Sequence, residues 1–592
     1  MTIVLGTRAV PVPKLTPLGY TGRVRITAGP LKVRIDDALA TYLSLEPDDI
    51  LHGFRMQAGV DAPGKPMTGW SSTTTGPTFG QWVSGLARIA VTAGRPEAMA
   101  RAVELIRGWA ETISSDGHPR LEHAYGLEKV VCALVDIAVL DDRPDMLDLV
   151  AQVTAWADAN WPRDRPVGTP VDFEGGMFAG PRETLEWYTI AENFYRAWLA
   201  GGDDAIRTFA QEWHYDFFWD RFLKRPAQGQ PWPVETWLHA YSHLNTFASV
   251  AAAYEVTGDE RYLRMLENAY EYFTTTQNYA TGGFGPSEFT MPEDGSLGRS
   301  VEWRTDTAEI VCGSWAAFKL SSALLKHTGE AKYGEWAEQL VYSGIGAVTP
   351  VRASGVTPYY ADYRLGIATK LPHWDDWPCC SGTYLQNVAH LPDLVYFGSA
   401  AGISVNLYVP STLEWEHDGA TRTLTQQTEF PVADTSTMTV GGAGQFALSL
   451  RVPSWSKGFA VSVNGEPVTA VAVPGEWLVV DRDWADGDVV EITLGAHLRL
   501  LPIDRWHPNR VAVAHGPVVL AQSAEWTAPI ALQRPWQMVD LESAFVRGEG
   551  LTYTPVGVGT GRLPLGQFKP LADFPDRFPY RVYFDVDSPR II

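Results

Sequence analysis

Residues 251–273, AAAYEVTGDERYLRMLENAYEYF, and residues 323–345, ALLKHTGEAKYGEWAEQLVYSGI, follow one pattern. In each, an apolar-periodic run ends at Thr-Gly, a second run begins at the next acid, and a tyrosine (Tyr262, Tyr333) stands four residues after the glycine. Glycine ends a helix in the left-handed conformation, and an acid at the next N-terminus meets the positive end of the helix dipole. The pattern therefore predicts a helix–turn–helix pair. Similar punctuation stands at Ala93-Gly94-Arg95-Pro96, Asp141-Asp142-Arg143-Pro144 and Gly201-Gly202-Asp203-Asp204, with gaps of about 50 to 70 residues. Such pairs bury their apolar stripes only against neighbouring pairs. Residues 35–400 hold about six of them, which predicts a closed (α/α)6 toroid around a central cavity rather than an open superhelix. The excursions 160–182 and 279–306 are rich in Gly, Pro and aromatics, and are expected to gather at one mouth and form the site.

After about residue 400 the period falls from 3.6 to 2, in GISVNLYVPS, QFALSLRVPSW, FAVSVNGEPVTA, EWLVVDRDW and DVVEITLGAHLRLLPI. Asn464-Gly465 signals a two-residue hairpin. The expectation is a multidomain α plus β chain. An N-terminal segment, 1–34, pairs with the β-sandwich; the catalytic (α/α)6 domain spans 35–400; an antiparallel β-sandwich spans 401–525; a β-rich C-terminal segment, 526–592, ends in the strand-like FPYRVYFDVD.

The 592 residues exceed what one core accommodates, and 45% hydrophobic with 20% charged residues predicts a chain folded throughout. A net charge of -22 repels phosphate backbones and anionic lipid. Nucleic acid and membrane are therefore poor partners, whereas a neutral oligosaccharide or glycoside fits; a homodimer is admitted. No stretch approaches the roughly 18 apolar residues that span a bilayer, and MTIVLGTRAVPVPK lacks the pattern of a secretory leader. Four cysteines are too few for a disulfide framework and suit a reducing compartment, so the cytoplasm is expected. Many of the 23 tryptophans, among them Trp70, Trp232, Trp237, Trp303, Trp374 and Trp377, fall in polar surroundings. Such rings either fill a core or stack on the apolar faces of sugars.

Cys379 and Cys380, in WDDWPCCSGTY, cannot form an unstrained disulfide with each other. Both thiols can instead turn toward one soft metal. Cys312, in TAEIVCGSW, stands three residues after Glu309, which puts the two on one face of a helix or helix start. Three sulfurs and one carboxylate make a tetrahedral set suited to Zn2+. On spacing alone that ion serves structure or catalysis equally. Cys132, in KVVCALVDI, reads as a core residue. Glu288, in YATGGFGPSEFTMPE, is either a solvated loop acid or a partly desolvated carboxyl with a pKa raised toward that of a general acid. His239 and His243, in WLHAYSHLNTF, face one side of a helix and suit sugar hydroxyls or structural hydrogen bonds. A zinc-protease motif is absent, because Ala240 follows His239.

The ordered set YGLEKVVCALVD from Tyr125, EWYTIAENFYRA from Glu186, GGFGPSE, the Glu309/Cys312 segment and WPCCSGT resembles the β-L-arabinofuranosidase-like glycoside hydrolases, families 127 and 146. It covers most of the helical region. The resemblance implies an (α/α)6 catalytic domain with β-sandwich domains, zinc held by Glu309, Cys312, Cys379 and Cys380, Cys379 as nucleophile and Glu288 as acid/base. Glu128, Tyr188, His239, His243 and Trp377 are the candidate substrate-binding residues. The chain differs from founding members in placing Glu309 three rather than two residues before its cysteine, and in an insertion over 295–304. Glu128 also stands where some relatives carry histidine.

The expected activity is retaining hydrolysis of a terminal β-L-arabinofuranoside-like sugar through a covalent intermediate on Cys379. Two other readings remain open: a toroid glycosidase or lyase using carboxylates with structural zinc, and a carbohydrate-binding protein without catalysis.

Overall fold

A computed structural model describes residues 8–121, 123–162, 186–525, 541–556 and 566–585. Of the sequence expectations, the excursion 160–182 lies outside these residues from 163 onward, as does much of the segment 526–592.

Six helices form the inner ring: Gly76–Thr92, Ala124–Leu140, Ala191–Leu199, Ala240–Thr257, Ile310–Thr328 and Cys379–His390. Each packs against the next, and the last packs against the first, which closes the ring. Flanked on both sides and backed by an outer layer, these helices are apolar or small nearly all round; in Gly76–Thr92 only Pro77 and Val91 escape burial. The outer helices Pro96–Ala110, Asp145–Asn160, Asp204–Glu212, Glu260–Tyr272 and Gly334–Ser343 each follow an inner one through a turn marked in the sequence. Gly258 and Gly329 end their helices at φ 68° and 71°. Glu260–Tyr272 buries Tyr262, Met265, Leu266, Ala269 and Tyr272, the single stripe of an outer helix.

The sixth pair is not a hairpin. Its outer member, Gly29–Leu43, comes from the start of the chain and packs on Cys379–His390 at the end of the domain. Five turns and one non-local pairing thus replace the expected count of about six hairpins, since a pairing between distant segments leaves no turn to read.

The sandwich consists of a five-stranded sheet, from Thr16–Pro17 through Tyr396–Gly398, Gly402–Val405 and Gly444–Arg451 to Trp477–Trp484, and a seven-stranded sheet that holds Val24–Ile26 at one edge. Residues before the toroid therefore supply a strand to each sheet. Asn464 and Gly465 connect the paired Val463 and Glu466 with φ 52° and 81°, as a tight two-residue turn requires. The fully buried Arg451 ties the sandwich to the outer helix Gly334–Ser343 through Glu338 at 2.5 Å and Glu335 at 2.9 Å.

A third sheet occupies 498–585: Leu498–Pro502, Arg510–His515, Val518–Ser523, Phe568–Pro570, Tyr553–Pro555 and Phe545–Arg547 lie in that order, with Tyr580–Arg581 and Tyr583–Asp585 added beside them. The sandwich therefore ends between Leu494 and Leu498 and not at 525. Period-two alternation marks a strand without saying which sheet it joins. Ala512, Val519, Tyr580 and Tyr583 of this sheet share a core with Tyr279, Met291, Leu297 and Val301, so it braces the excursion 279–306. Among the described residues, no helix is long and apolar enough to cross a membrane.

Candidate metal and catalytic site

Cys379 and Cys380 are the first two residues of the last inner helix, behind Pro378 at its N-cap. Unpaired N–H groups and the positive end of the dipole favour thiolate at such a position. Cys312 is the third residue of Ile310–Thr328; Glu309 precedes that helix and lies in the short strand Ala308–Glu309, opposite Tyr360. Packing of the two inner helices brings the groups together. Cys312 Sγ lies 3.1 Å from Cys380 Sγ and 3.7 Å from Cys379 Sγ, and the Cys380 thiol lies 3.6 Å from Glu309 Oε1. All four residues are buried, with donor atoms within 4.8 Å of one another. A Zn–S bond of about 2.3 Å implies a tetrahedral S···S edge of about 3.8 Å, close to the spacing of Cys312 and Cys379. Glu309 Oε2 makes no hydrogen bond, so a buried carboxylate oxygen and three thiols converge with donor capacity to spare. The set fits zinc. Cys132 stands apart, its sulfur 3.6 Å from Ser84 Oγ and Arg196.

The three sulfurs are not equivalent. Hydrogen bonds from the Cys312 and Cys380 thiols, joined by Tyr359 at 3.7 Å, hold Cys379 well below the usual thiol range, while burial pushes Cys312 and Cys380 well above it.

Glu288 sits on the excursion 279–306, where the sequence makes the chain turn unusually. Gly285 has φ 79°, and a Cβ there would meet the Ala240 Cβ at 2.8 Å. Ser287 and Glu288 are left-handed as well, at φ 51° and 67°, a conformation costing non-glycine residues about 1–2 kcal/mol each. The Asp306 backbone carbonyl accepts from Ser287 N at 2.8 Å, the Asp306 carboxylate accepts from Ser287 Oγ at 2.6 Å, and the Tyr360 hydroxyl donates to Glu288 Oε1. Glu186, Trp237 and Trp377, each within two residues of a candidate site residue, share this backbone state. Burial chiefly, helped by Cys379, raises the Glu288 pKa against the opposing pull of His239 and Tyr360.

His239 joins the two groups. Its Nδ1 donates to Glu186 Oε1 at 2.6 Å, and its Nε2 lies 3.7 Å from both Glu288 Oε2 and Glu309 Oε2. Burial would lower its pKa, but Glu186 and Glu309 outweigh this and raise it well above the ordinary histidine value. Glu309 is raised to about 8, first by burial.

Of the other expected site residues, His243 and Tyr188 adjoin His239, whereas Glu128 packs with Lys129 and Asn193 and Trp377 with Trp82. His243 Nδ1 meets the His239 carbonyl at 2.9 Å; its ring centroid is 4.5 Å from that of Tyr188, and burial lowers its pKa to about 3, leaving it neutral. The Tyr188 hydroxyl meets Ser242 Oγ at 2.7 Å. Glu128, buried, pairs with Lys129 at 2.8 Å and accepts from Asn193 at 2.5 Å. Trp377 is buried edge-on to Trp82 at 5.4 Å. Sequence reasoning gave no role to Glu186, Tyr359 or Tyr360. Glu186 heads a quoted motif, and the Tyr359-Tyr360 doublet in TPYYADY has no helical period, the mark of a short strand.

Two family profiles match the chain: the beta-L-arabinofuranosidase GH127 catalytic domain over residues 23–393 and the GH127 middle domain over 402–496. No curated protein sequence matches it. Among solved structures it is similar to a GH127 beta-arabinofuranosidase, with 18% identity over 98% of each chain and a TM-score of 0.71. It is also similar to a GH127 beta-L-arabinofuranosidase from Geobacillus stearothermophilus T6, with 18% identity over 95% of this chain and 100% of that one and a TM-score of 0.70. A further structure, described as a glycoside hydrolase, shares 17% identity over 99% of both chains with a TM-score of 0.67. At these identities the structural likeness speaks to the fold.

Proposed function

The chain belongs to the GH127 beta-L-arabinofuranosidase family of glycoside hydrolases, and from that premise we propose that it releases a terminal β-L-arabinofuranosyl-like sugar with retention, using Cys379 as nucleophile and Glu288 as acid/base. The observation that carries this reading is that neighbouring tyrosines of one strand reach both groups. The Tyr359 hydroxyl lies 3.7 Å from Cys379 Sγ, and the Tyr360 hydroxyl donates to Glu288. A thiol shifted toward thiolate and a carboxyl shifted toward its acid form therefore flank one point, the protonation states that a first displacement needs.

Cys379 Sγ attacks the anomeric carbon, the glycosidic C–O bond breaks, and Glu288 gives its proton to the departing oxygen. Glu288 then takes a proton from water, which attacks the same carbon and breaks the C–S bond. Two inversions give net retention. Zinc held by Glu309, Cys312, Cys379 and Cys380 would supply the positive charge that keeps these thiols ionised near neutral pH. His239, fixed by Glu186, orients Glu288 from the side of the sulfur cluster. Glu128 and His239 offer charged partners for sugar hydroxyls, and Tyr188, His243 and Trp377 shape the walls around them. A neutral glycoside suits the net charge of -22, and four free thiols suit the cytoplasm.

The test is turnover of β-L-arabinofuranosides by the purified protein, with the first-formed anomer read by NMR and zinc by elemental analysis under reductant. One zinc per chain, a retained anomer, and loss of turnover in Cys379→Ser and after chelation are expected. Undiminished turnover in Cys379→Ser, or an inverted first product, would rule the thiolate mechanism out.

A further inference from the structure

Where the sulfur cluster meets the loop of Glu288, three buried groups each have one end fixed and the other free. His239 Nδ1 donates to Glu186 Oε1 at 2.6 Å, while its Nε2 makes no hydrogen bond. Glu309 Oε1 lies 3.6 Å from the Cys380 thiol, while its Oε2 makes no hydrogen bond. Glu288 Oε1 accepts from the Tyr360 hydroxyl, which leaves Oε2 beside the imidazole. The three free atoms face one another: His239 Nε2 is 3.7 Å from both carboxylate oxygens, and all three lie within 4.8 Å. His239, Glu288 and Glu309 are only 8%, 6% and 3% exposed, so bulk water does not make up the missing partners.

A proton on Nε2 satisfies neither carboxylate, because 3.7 Å is beyond hydrogen-bond reach, and a buried polar group without a partner costs free energy. A divalent cation satisfies all three atoms at once. Bound roughly 2.1 Å from each, it holds such ligands roughly 3.4 Å apart, so each nitrogen–oxygen pair need close by only a few tenths of an ångström. The surroundings are also those of a metal-binding histidine, in which a carboxylate on the far nitrogen fixes the tautomer and the ring; Glu186 plays that part. Glu309 turns one oxygen to the thiols and the other to His239, as a carboxylate bridging two ions does. With zinc on the sulfur set, three thiolates and a carboxylate outweigh the charge of one ion, and a second cation beside them relieves buried negative charge. One nitrogen and two oxygens suit zinc and its first-row neighbours, without the grip of three sulfurs.

We propose that His239, Glu288 and Glu309 form a second divalent-cation site, weaker than the sulfur site, and that an ion bound there arrests turnover. The site follows from the geometry alone. The arrest rests on the reading under Proposed function: the ion displaces the Nε2 proton to solvent and holds Glu288 as the carboxylate, with no proton to give the leaving oxygen. The experiment equilibrates the zinc-loaded protein under reductant with free Zn2+ raised in steps, and reads bound zinc by elemental analysis alongside turnover of a β-L-arabinofuranoside. Wild type should take up one ion more than His239→Ala. Its turnover should fall about tenfold once free Zn2+ exceeds the midpoint of that uptake about tenfold, and should return when free Zn2+ is lowered. Glu186→Gln keeps all three ligands and should move the midpoint about tenfold to a hundredfold higher, with the sulfur-site zinc unchanged. Equal uptake by wild type and His239→Ala, or an unmoved midpoint in Glu186→Gln, overturns the site; should His239→Ala fail to keep the sulfur-site zinc, Glu186→Gln decides alone. Uptake of the extra ion without loss of turnover overturns the arrest. If no β-L-arabinofuranoside is cleaved at any zinc level, the activity reading falls by itself and the uptake comparison still decides the site.

Discussion

The two sides of the candidate site are held by opposite means. Cys312, Cys379 and Cys380 occupy the first turns of two neighbouring inner helices, so the sulfur floor inherits the rigidity of a closed ring. Glu288 hangs on a left-handed loop whose support comes from a sheet two hundred or more residues further along. There the Tyr583 hydroxyl accepts from Ala280 N at 2.7 Å, and Arg510 donates to the Gly298 carbonyl at 2.5 Å and pairs with Glu302 at 2.9 Å. Asp504 accepts from Gly298 N at 2.7 Å. The contrast teaches that a floor can be damaged only with the fold, whereas the acid can be displaced with the fold intact.

The sharpest way to break the floor is Asp136→Asn. Asp136, on Ala124–Leu140, binds Arg88 of Gly76–Thr92 at 2.7 Å and Arg196 of Ala191–Leu199 at 2.6 Å, joining three inner helices. Leaving two guanidiniums buried without their carboxylate should cost about 3–5 kcal/mol in denaturant unfolding. The same group sharpens the comparison through pH. Burial opposes its ionisation, yet Arg88 and Arg196 hold its pKa at about 2. Because this lies below the unfolded value of about 3.9, the stabilisation is complete above that value and is lost as the pH falls toward 2. It should amount to about 2–3 kcal/mol. The Asn variant should lack this component, so the gap between variant and wild type should narrow between pH 4 and 2; a constant gap would refute the assignment.

Arg510→Ala attacks the acid from its supporting sheet. On the proposed function, in which Glu288 is the proton donor, kcat/KM should fall about tenfold while the metal content of the purified protein stays unchanged. Parallel loss of metal would erase the distinction between floor and loop. The smallest effect belongs to neither side: Asn464→Ala in the sandwich hairpin should cost about 1 kcal/mol, because alanine tolerates φ 52° poorly, and should leave turnover alone.

What was legible in the chain was local. Five turns, the change of period near residue 400, the Asn464-Gly465 hairpin and the vicinal thiols each declare themselves within a few residues. The convergence of Glu309, Cys312, Cys379 and Cys380 also fits the sequence expectation, since a helix start places the first two and an adjacent pair places the others. The contribution of Glu186, Tyr359 and Tyr360 was not legible, because each acts on a partner in another element, 53, 20 and 72 residues away. The assignment of 498–523 to a third sheet was hidden for a related reason, as its partners include Phe568–Pro570 and Tyr583–Asp585. Left-handed backbone at Ser287 and Glu288 left no trace in composition.

The pairing of Gly29–Leu43 with Cys379–His390 has a consequence for biogenesis. On the ribosome the first helix emerges long before its mate, and the barrel of helices stays a horseshoe until the final one appears. Two of the three thiols arrive on that closing piece. A chain cut short anywhere before it therefore lacks both the latch and two of the three sulfurs of the candidate metal site, so that completion of the domain and assembly of that cluster are one event.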